Sequence, residues 1–137
     1  MRLRLVVPAV LLAVAALAEG CSSPNRGEWK GDFGGSVTGT VDFTINTRGT
    51  KLTGTMAGKT SGGQDFHATM EGTLAGVDLV AEFEGSATTD YRPVPFTGVM
   101  KGELLRGKAH GSWECTIRFT DQKMNGDWRV SQVVATN

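Results

Sequence analysis

Between His67 and Cys115 fall two histidines, five glutamates and one thiol, the side chains from which acid–base, metal or nucleophilic chemistry is most readily assembled. Their spacing works against all three. His67 and His110 alternate outward on different predicted strands, without the close cysteine, histidine or carboxylate partners that a zinc site needs. Glu71, Glu82, Glu84, Glu103 and Glu114 share that solvent-facing parity, where neither burial nor a close charge prepares an acid or a base, and they read as a solubilising face. Cys115 points the other way, with no inward histidine or basic neighbour to make it a thiolate. The run GTMAGKTS at 54–61 has the composition of a phosphate-binding loop but neither its glycine spacing nor a following helix. The expectation is a chain that is not an enzyme and that needs no metal and no cofactor.

What positions these residues is alternation. From Glu28 onward no window shows helical spacing, whereas a period of two recurs throughout, so the domain reads as all-β. Val37, Gly39, Val41, Phe43 and Ile45 share one face; Thr38, Thr40, Asp42 and Thr44 share the other. Phe66, Ala68, Met70, Gly72 and Leu74 oppose His67, Thr69, Glu71 and Thr73 in the same way, and Ala109, Gly111, Trp113, Cys115, Ile117 and Phe119 are placed inward on the seventh strand. Eight strands fit: about 28–34, 37–46, 51–57, 65–74, 77–86, 96–104, 108–119 and 126–134. The turns TRGT, AG and LRG suit tight hairpins, while KTSGGQD and ATTDYRPVP are longer. Consecutive antiparallel strands predict a single up-and-down β-barrel. Gly54, Gly72, Gly98 and Gly111 fall on its inward face, where glycine permits the bend that closes a sheet. The alternative is a two-sheet β-sandwich.

The motif GEW at Gly27–Trp29 resembles the G-x-W with which lipocalins and avidins, the calycin-type barrels, open their eight strands, and the resemblance covers Gly27 to about Val134. It implies a barrel with a ligand cavity and no particular binding residues. Lipocalins also pack a late arginine over that tryptophan; Arg129, after GDW at 126–128, is the nearest candidate here. Eight strands enclose a space that side chains just fill or that holds one small ligand. The interior set includes Trp29, Phe33, Phe43, Phe66, Phe83 and Phe96, together with Trp113, Trp128 and the adaptable Met56, Met70 and Met100.

Residues 1–20 read as an export signal, with Arg2 and Arg4 before the apolar run LVVPAVLLAVAALA. LAEGC resembles a bacterial lipoprotein signal, which implies lipidation of Cys21, a polar tether over 21–26 and a barrel domain over 27–134. Here Ala18 and Glu19 hold the places that such signals usually give to leucine and a small residue. The alternative cut follows ALA at Ala16–Ala18, frees Glu19 as the terminus and leaves a soluble periplasmic or secreted protein. Cys21 is then available to Cys115, a bridge that the inward parity of Cys115 makes awkward. Removing residues 1–20 takes Arg2, Arg4 and Glu19 from 14 basic and 14 acidic residues, leaving 12 against 13 and a net charge of −1. That balance excludes the electrostatic footprint of a nucleic-acid partner.

The expected function is a non-catalytic envelope lipoprotein, anchored in the membrane by lipid and facing the periplasm or exterior, whose barrel contacts another envelope protein. The alternative is a carrier of a small apolar ligand. Loop lengths place the binding site at the end carrying KTSGGQD, SATTDYRPVP and DQKMNG, and name Gln64, Asp65, Asp90, Tyr91, Arg92 and Lys123, with Trp128 just below.

Overall fold

The computed structural model describes residues 26–90 and 92–134. The expectations for the signal, for Cys21 and for Tyr91 concern residues outside that range. The alternating segments form β1 (Gly27–Gly35), β2 (Gly39–Arg48), β3 (Lys51–Thr60), β4 (Asp65–Ala75), β5 (Asp78–Thr88), β6 (Pro93–Leu105), β7 (Lys108–Ile117) and β8 (Gln122–Gln132). Each pairs antiparallel with the next, and β8 returns to β1 in a register that sets Trp29 opposite Gln132 and Phe33 opposite Trp128. This is the single closed up-and-down barrel; the sandwich alternative falls. Closure leaves no strand edge for another chain to extend.

The two ends are built differently. At one end three two-residue turns join β2–β3, β4–β5 and β6–β7. In the last of these Arg106 (φ 55°) and Gly107 (φ 78°) both adopt the left-handed region, as a type I′ hairpin requires. Backbone bonds stitch these turns to neighbouring strands: Leu74 N donates to Thr50 O, Leu104 N to Val77 O and Gln132 N to Gly107 O, each at 2.8 Å. Above them lies the driest part of the core, where Trp29 is 1% exposed and Leu52 0%, packed with Ile45, Leu74, Leu79 and Val130. The β1–β2, β3–β4, β5–β6 and β7–β8 loops emerge at the opposite end. There the inward side chains Phe33, Val37, Phe66, Ala87, Ile117 and Met124 are only partly buried. The barrel therefore has a packed floor and a thinly covered mouth.

Three expectations are corrected. β7 ends at Ile117, and Phe119, placed inward by the alternation, lies in the next loop and is 63% exposed. The strand stops there because residues 118–121 turn the chain, with Asp121 at φ 54°, and a turn does not propagate the period of two. Val37 belongs to the β1–β2 loop, although it still packs on the core. Arg129 does not pack over Trp29 inside the barrel: its side chain is 82% exposed and pairs across the outer face with Asp32, Nε to Oδ1 3.7 Å.

Candidate functional site

Below the mouth the barrel encloses a cavity of about 340 Å³, toward the lower end of the range of about 300–1,000 Å³ usual for small-molecule pockets. Its wall is a collar of rings locked edge to face. Phe33 meets Trp113 at 6.1 Å and Phe66 at 5.6 Å between centroids; Phe66 meets Phe96 at 6.4 Å; Phe96 meets Phe83 at 6.0 Å. Deeper in, Phe43 meets Trp128 at 5.8 Å. Offset or perpendicular rings interact better than stacked faces, so the collar is held by its own quadrupoles as well as by burial. Met56, Met100 and Met124 complete the lining with soft, adaptable surface.

Glycine is what lets the rings stand there. Across the β3–β4 ladder Phe66 faces Gly58, and a β-carbon added at Gly58 would meet the ring at 2.6–2.9 Å. Phe33 lies over Gly39 in the same way across β1–β2, Phe83 over Gly98 across β5–β6, and the Trp128 ring over Gly102. The inward glycines thus form the seats of aromatic side chains as well as points of curvature, a device that shields glycine backbone with a neighbouring ring.

The polar atoms of the wall are engaged by the wall itself. Trp113 Nε1 donates to Gly34 O and Asp127 O, both at 3.1 Å, and Trp128 Nε1 donates to Ser112 O at 3.0 Å. Neither indole N–H is left pointing at the cavity. The Cys115 thiol is buried against the lining and is a free cysteine; desolvation pushes its pKa from the ordinary 9.0 up to about 11. A thiol so biased toward its neutral form is a poor nucleophile. Among the described residues no buried side chain is polar or charged, and no three His, Cys, Asp or Glu residues converge as metal ligands. His67 faces solvent, and His110 Nε2 stands 4.0 Å from Glu103 Oε1 on the outer surface.

Among the described lining residues polar side chains stand at the rim, where Thr60, Gln64, Thr89 and Gln122 border the opening. Thr60 Oγ1 donates to Gln64 Oε1 at 3.5 Å and accepts from Gln64 N at 3.1 Å, which fixes the β3–β4 loop. Thr89 Oγ1 donates to Arg92 O at 2.6 Å and accepts from Arg92 N at 3.2 Å in the β5–β6 loop. The Arg92 guanidinium then reaches over the exposed Phe119 ring, 5.1 Å from its centroid, and ties that loop to the β7–β8 loop.

Of the residues expected to frame the site, Gln64 and Trp128 line the cavity, one at the rim and one in the wall. Arg92 and Asp90 sit on an exposed loop beside the mouth. Asp65 and Lys123 point outward: Asp65 Oδ1 pairs with Lys59 Nζ at 3.4 Å, and Lys123 borders a polar groove on the outer face with Glu84 and Glu114. The lining residues that sequence reasoning missed are Thr60, Ala87, Thr89, Val94, Gln122 and Met124. Thr60, Ala87, Val94, Gln122 and Met124 carry the inward parity of β3, β5, β6 and β8 beyond the segments read from alternation, and Thr89 carries that of β5 into the following loop. The parity itself was the available signal.

The chain matches no protein-family model, and no curated protein is significantly similar to it. The closed eight-stranded antiparallel barrel is consistent with a calycin-like architecture, and it is compatible with either a binding module or a ligand carrier.

Proposed function

We propose that this protein is a non-catalytic binding module of the bacterial cell envelope, tethered through Cys21, that accepts a small apolar molecule through the open mouth of its barrel. The observation that carries the reading is the cavity of about 340 Å³ beneath the loop-rich end, walled by interlocked rings and methionines with no charged group among its described lining residues. A filled barrel favours a purely surface-borne function, whereas a cavity lends support to the carrier reading. Apolar area removed from water stabilises a complex by roughly 25 cal/mol per Å², so even a ligand of modest size gains appreciably by entering. The deeply packed floor gives the rigid base on which such a pocket keeps its shape.

A second reading is favoured by one feature at the rim. Phe119, largely exposed and capped by Arg92, offers an aromatic–arginine pair of the kind enriched in protein interfaces. An envelope protein docking there would contact the β5–β6 and β7–β8 loops at once.

The test is titration of the purified protein with the environment-sensitive dye 1-aminoanthracene, followed by displacement. Saturable fluorescence gain, with energy transfer from the wall tryptophans Trp113 and Trp128, supports the carrier. No saturable binding, together with co-purification of one envelope protein that is lost on Phe119→Ser, supports docking instead. The tether has its own measurement: the intact mass of the protein expressed in a bacterial host shows the acyl increment on Cys21 if the lipoprotein reading is right, and a chain beginning at Glu19 refutes it.

A further inference from the structure

The distribution of polarity along the cavity says more than that its ligand is apolar. Below the rim no described residue offers a charge. The two indole N–H groups are consumed by wall carbonyls, the one titratable group among the described wall residues is a thiol held neutral by burial, and the rest of the described wall is aromatic, aliphatic or thioether. Of the cations at the mouth end, Arg118 is exposed in the β7–β8 loop and is not among the described lining residues, and three others are directed elsewhere. Lys59 is paired with Asp65 on the outside, Arg92 lies over Phe119, and Lys123 faces the outer groove. An ionised carboxylate or phosphate entering this space would shed water without gaining a counter-ion or a set of donors, and that cost is large. At the rim, by contrast, stand the primary amides of Gln64 and Gln122 and the hydroxyl of Thr60, groups that both donate and accept but carry no charge.

Resting on the carrier reading, we infer that the cavity selects a neutral amphiphile. Its apolar body occupies the ring collar, and a single uncharged head, a hydroxyl, ester or amide, is held at the rim by Gln64, Gln122 and Thr60; acidic lipids of the same chain length are rejected. The floor cannot receive the head, because the buried side chains of Trp29 and Leu52 close it. The ligand therefore enters body first, with its head toward solvent. A head in that position remains within reach of water, so the penalty for a charged head is partial and discrimination is a matter of degree, about tenfold or more.

The experiment compares three probes of one chain length on the whole protein below their aggregation concentrations: decan-1-ol, methyl decanoate and sodium decanoate. Each is read by displacement of 1-aminoanthracene at neutral pH. The expected result is that decan-1-ol and methyl decanoate bind with similar affinity and decanoate about tenfold or more weakly. Decanoate binding as tightly as the alcohol would overturn the inference and leave the carrier reading intact. Failure of all three probes and of the dye would overturn the carrier reading, and the inference with it. A second arm uses the variant Gln64→Leu/Gln122→Leu, whose substituted side chains are exposed, so that the melting temperature should scarcely move. Its affinity for decan-1-ol should fall about threefold or more while dye binding persists. An unchanged alcohol affinity would show that the head is not held at this rim.

Discussion

Replacing Gly58 by alanine tests whether glycine seats the aromatic collar. The added β-carbon would stand 2.6 Å from Phe66 Cζ and 2.9 Å from Cε2, and closer still to the carbonyl oxygen of Thr40 on β2. Ordinary contact begins near 3.4 Å, so the ring must retreat by about 0.8 Å. It can do so only toward the cavity, because Phe33 and Phe96 hold its flanks. The Thr40 carbonyl is part of the β2–β3 ladder and cannot move without opening it. Overpacking of this sort costs about 1–3 kcal/mol, which for a domain of this size lowers the melting temperature by roughly 4–12 °C. Thermal unfolding followed by far-ultraviolet circular dichroism measures the loss, and 1-aminoanthracene titration should show weaker binding as the ring invades the cavity. Adding Phe66→Leu removes the ring's share of the clash and leaves that of the carbonyl. The two substitutions should then be non-additive by about 0.5–1.5 kcal/mol. A Gly58→Ala variant that melts within about 1 °C of the parent would refute the account of the seat, and strictly additive effects would show that ring and glycine are independent.

Other consequences can be measured separately. With its pKa raised from 9.0 to about 11, Cys115 should carry about one-hundredth of the thiolate of an ordinary cysteine at pH 8. In a Cys21→Ser background, iodoacetamide should therefore modify the folded protein at least that much more slowly than the urea-unfolded chain, and equal rates would contradict burial. The sign for stability follows from the same shift: the neutral thiol is favoured by the fold, so its contribution is intact below pH 9 and is lost as pH rises from 9 toward 11, a decline that Cys115→Ala should abolish in pH-dependent melts. Arg106 holds φ 55°, a conformation that asparagine tolerates better, so Arg106→Asn should raise stability by up to about 1 kcal/mol in urea unfolding; a destabilised variant would show that the arginine side chain contributes more than its backbone costs. Glu71 and Glu82 lie directly opposite on the outer faces of β4 and β5, and Glu82→Lys should stabilise by about 0.2–1 kcal/mol at low salt, with the gain shrinking in 1 M NaCl.

Inward and outward parity were readable from the chain because half-buried strands must alternate, and the eight segments, the outward His67 and His110 and the inward Cys115 all follow from that single period. The short turns containing Gly49, Gly76 and Gly107 were legible for a similar reason: a tight hairpin demands backbone angles that few residues supply. Two things were decided only when the strands closed on one another. The first is the extent of the strands at the mouth, where inward parity continues through the polar Thr60 and Gln122 and the small Ala87 as well as through Val94 and Met124, since these residues border an opening and not a packed core. The second is the cavity itself. Whether Phe33, Phe66, Phe83, Phe96, Trp113 and Trp128 fill a barrel or line one depends on ring angles and on which glycine each ring meets across the ladder, as Phe66 meets Gly58. Those relations join residues on different strands, and no local pattern encodes them. Hydrophobicity along a strand specifies which way a side chain points, but the volume left over is a property of all eight strands at once.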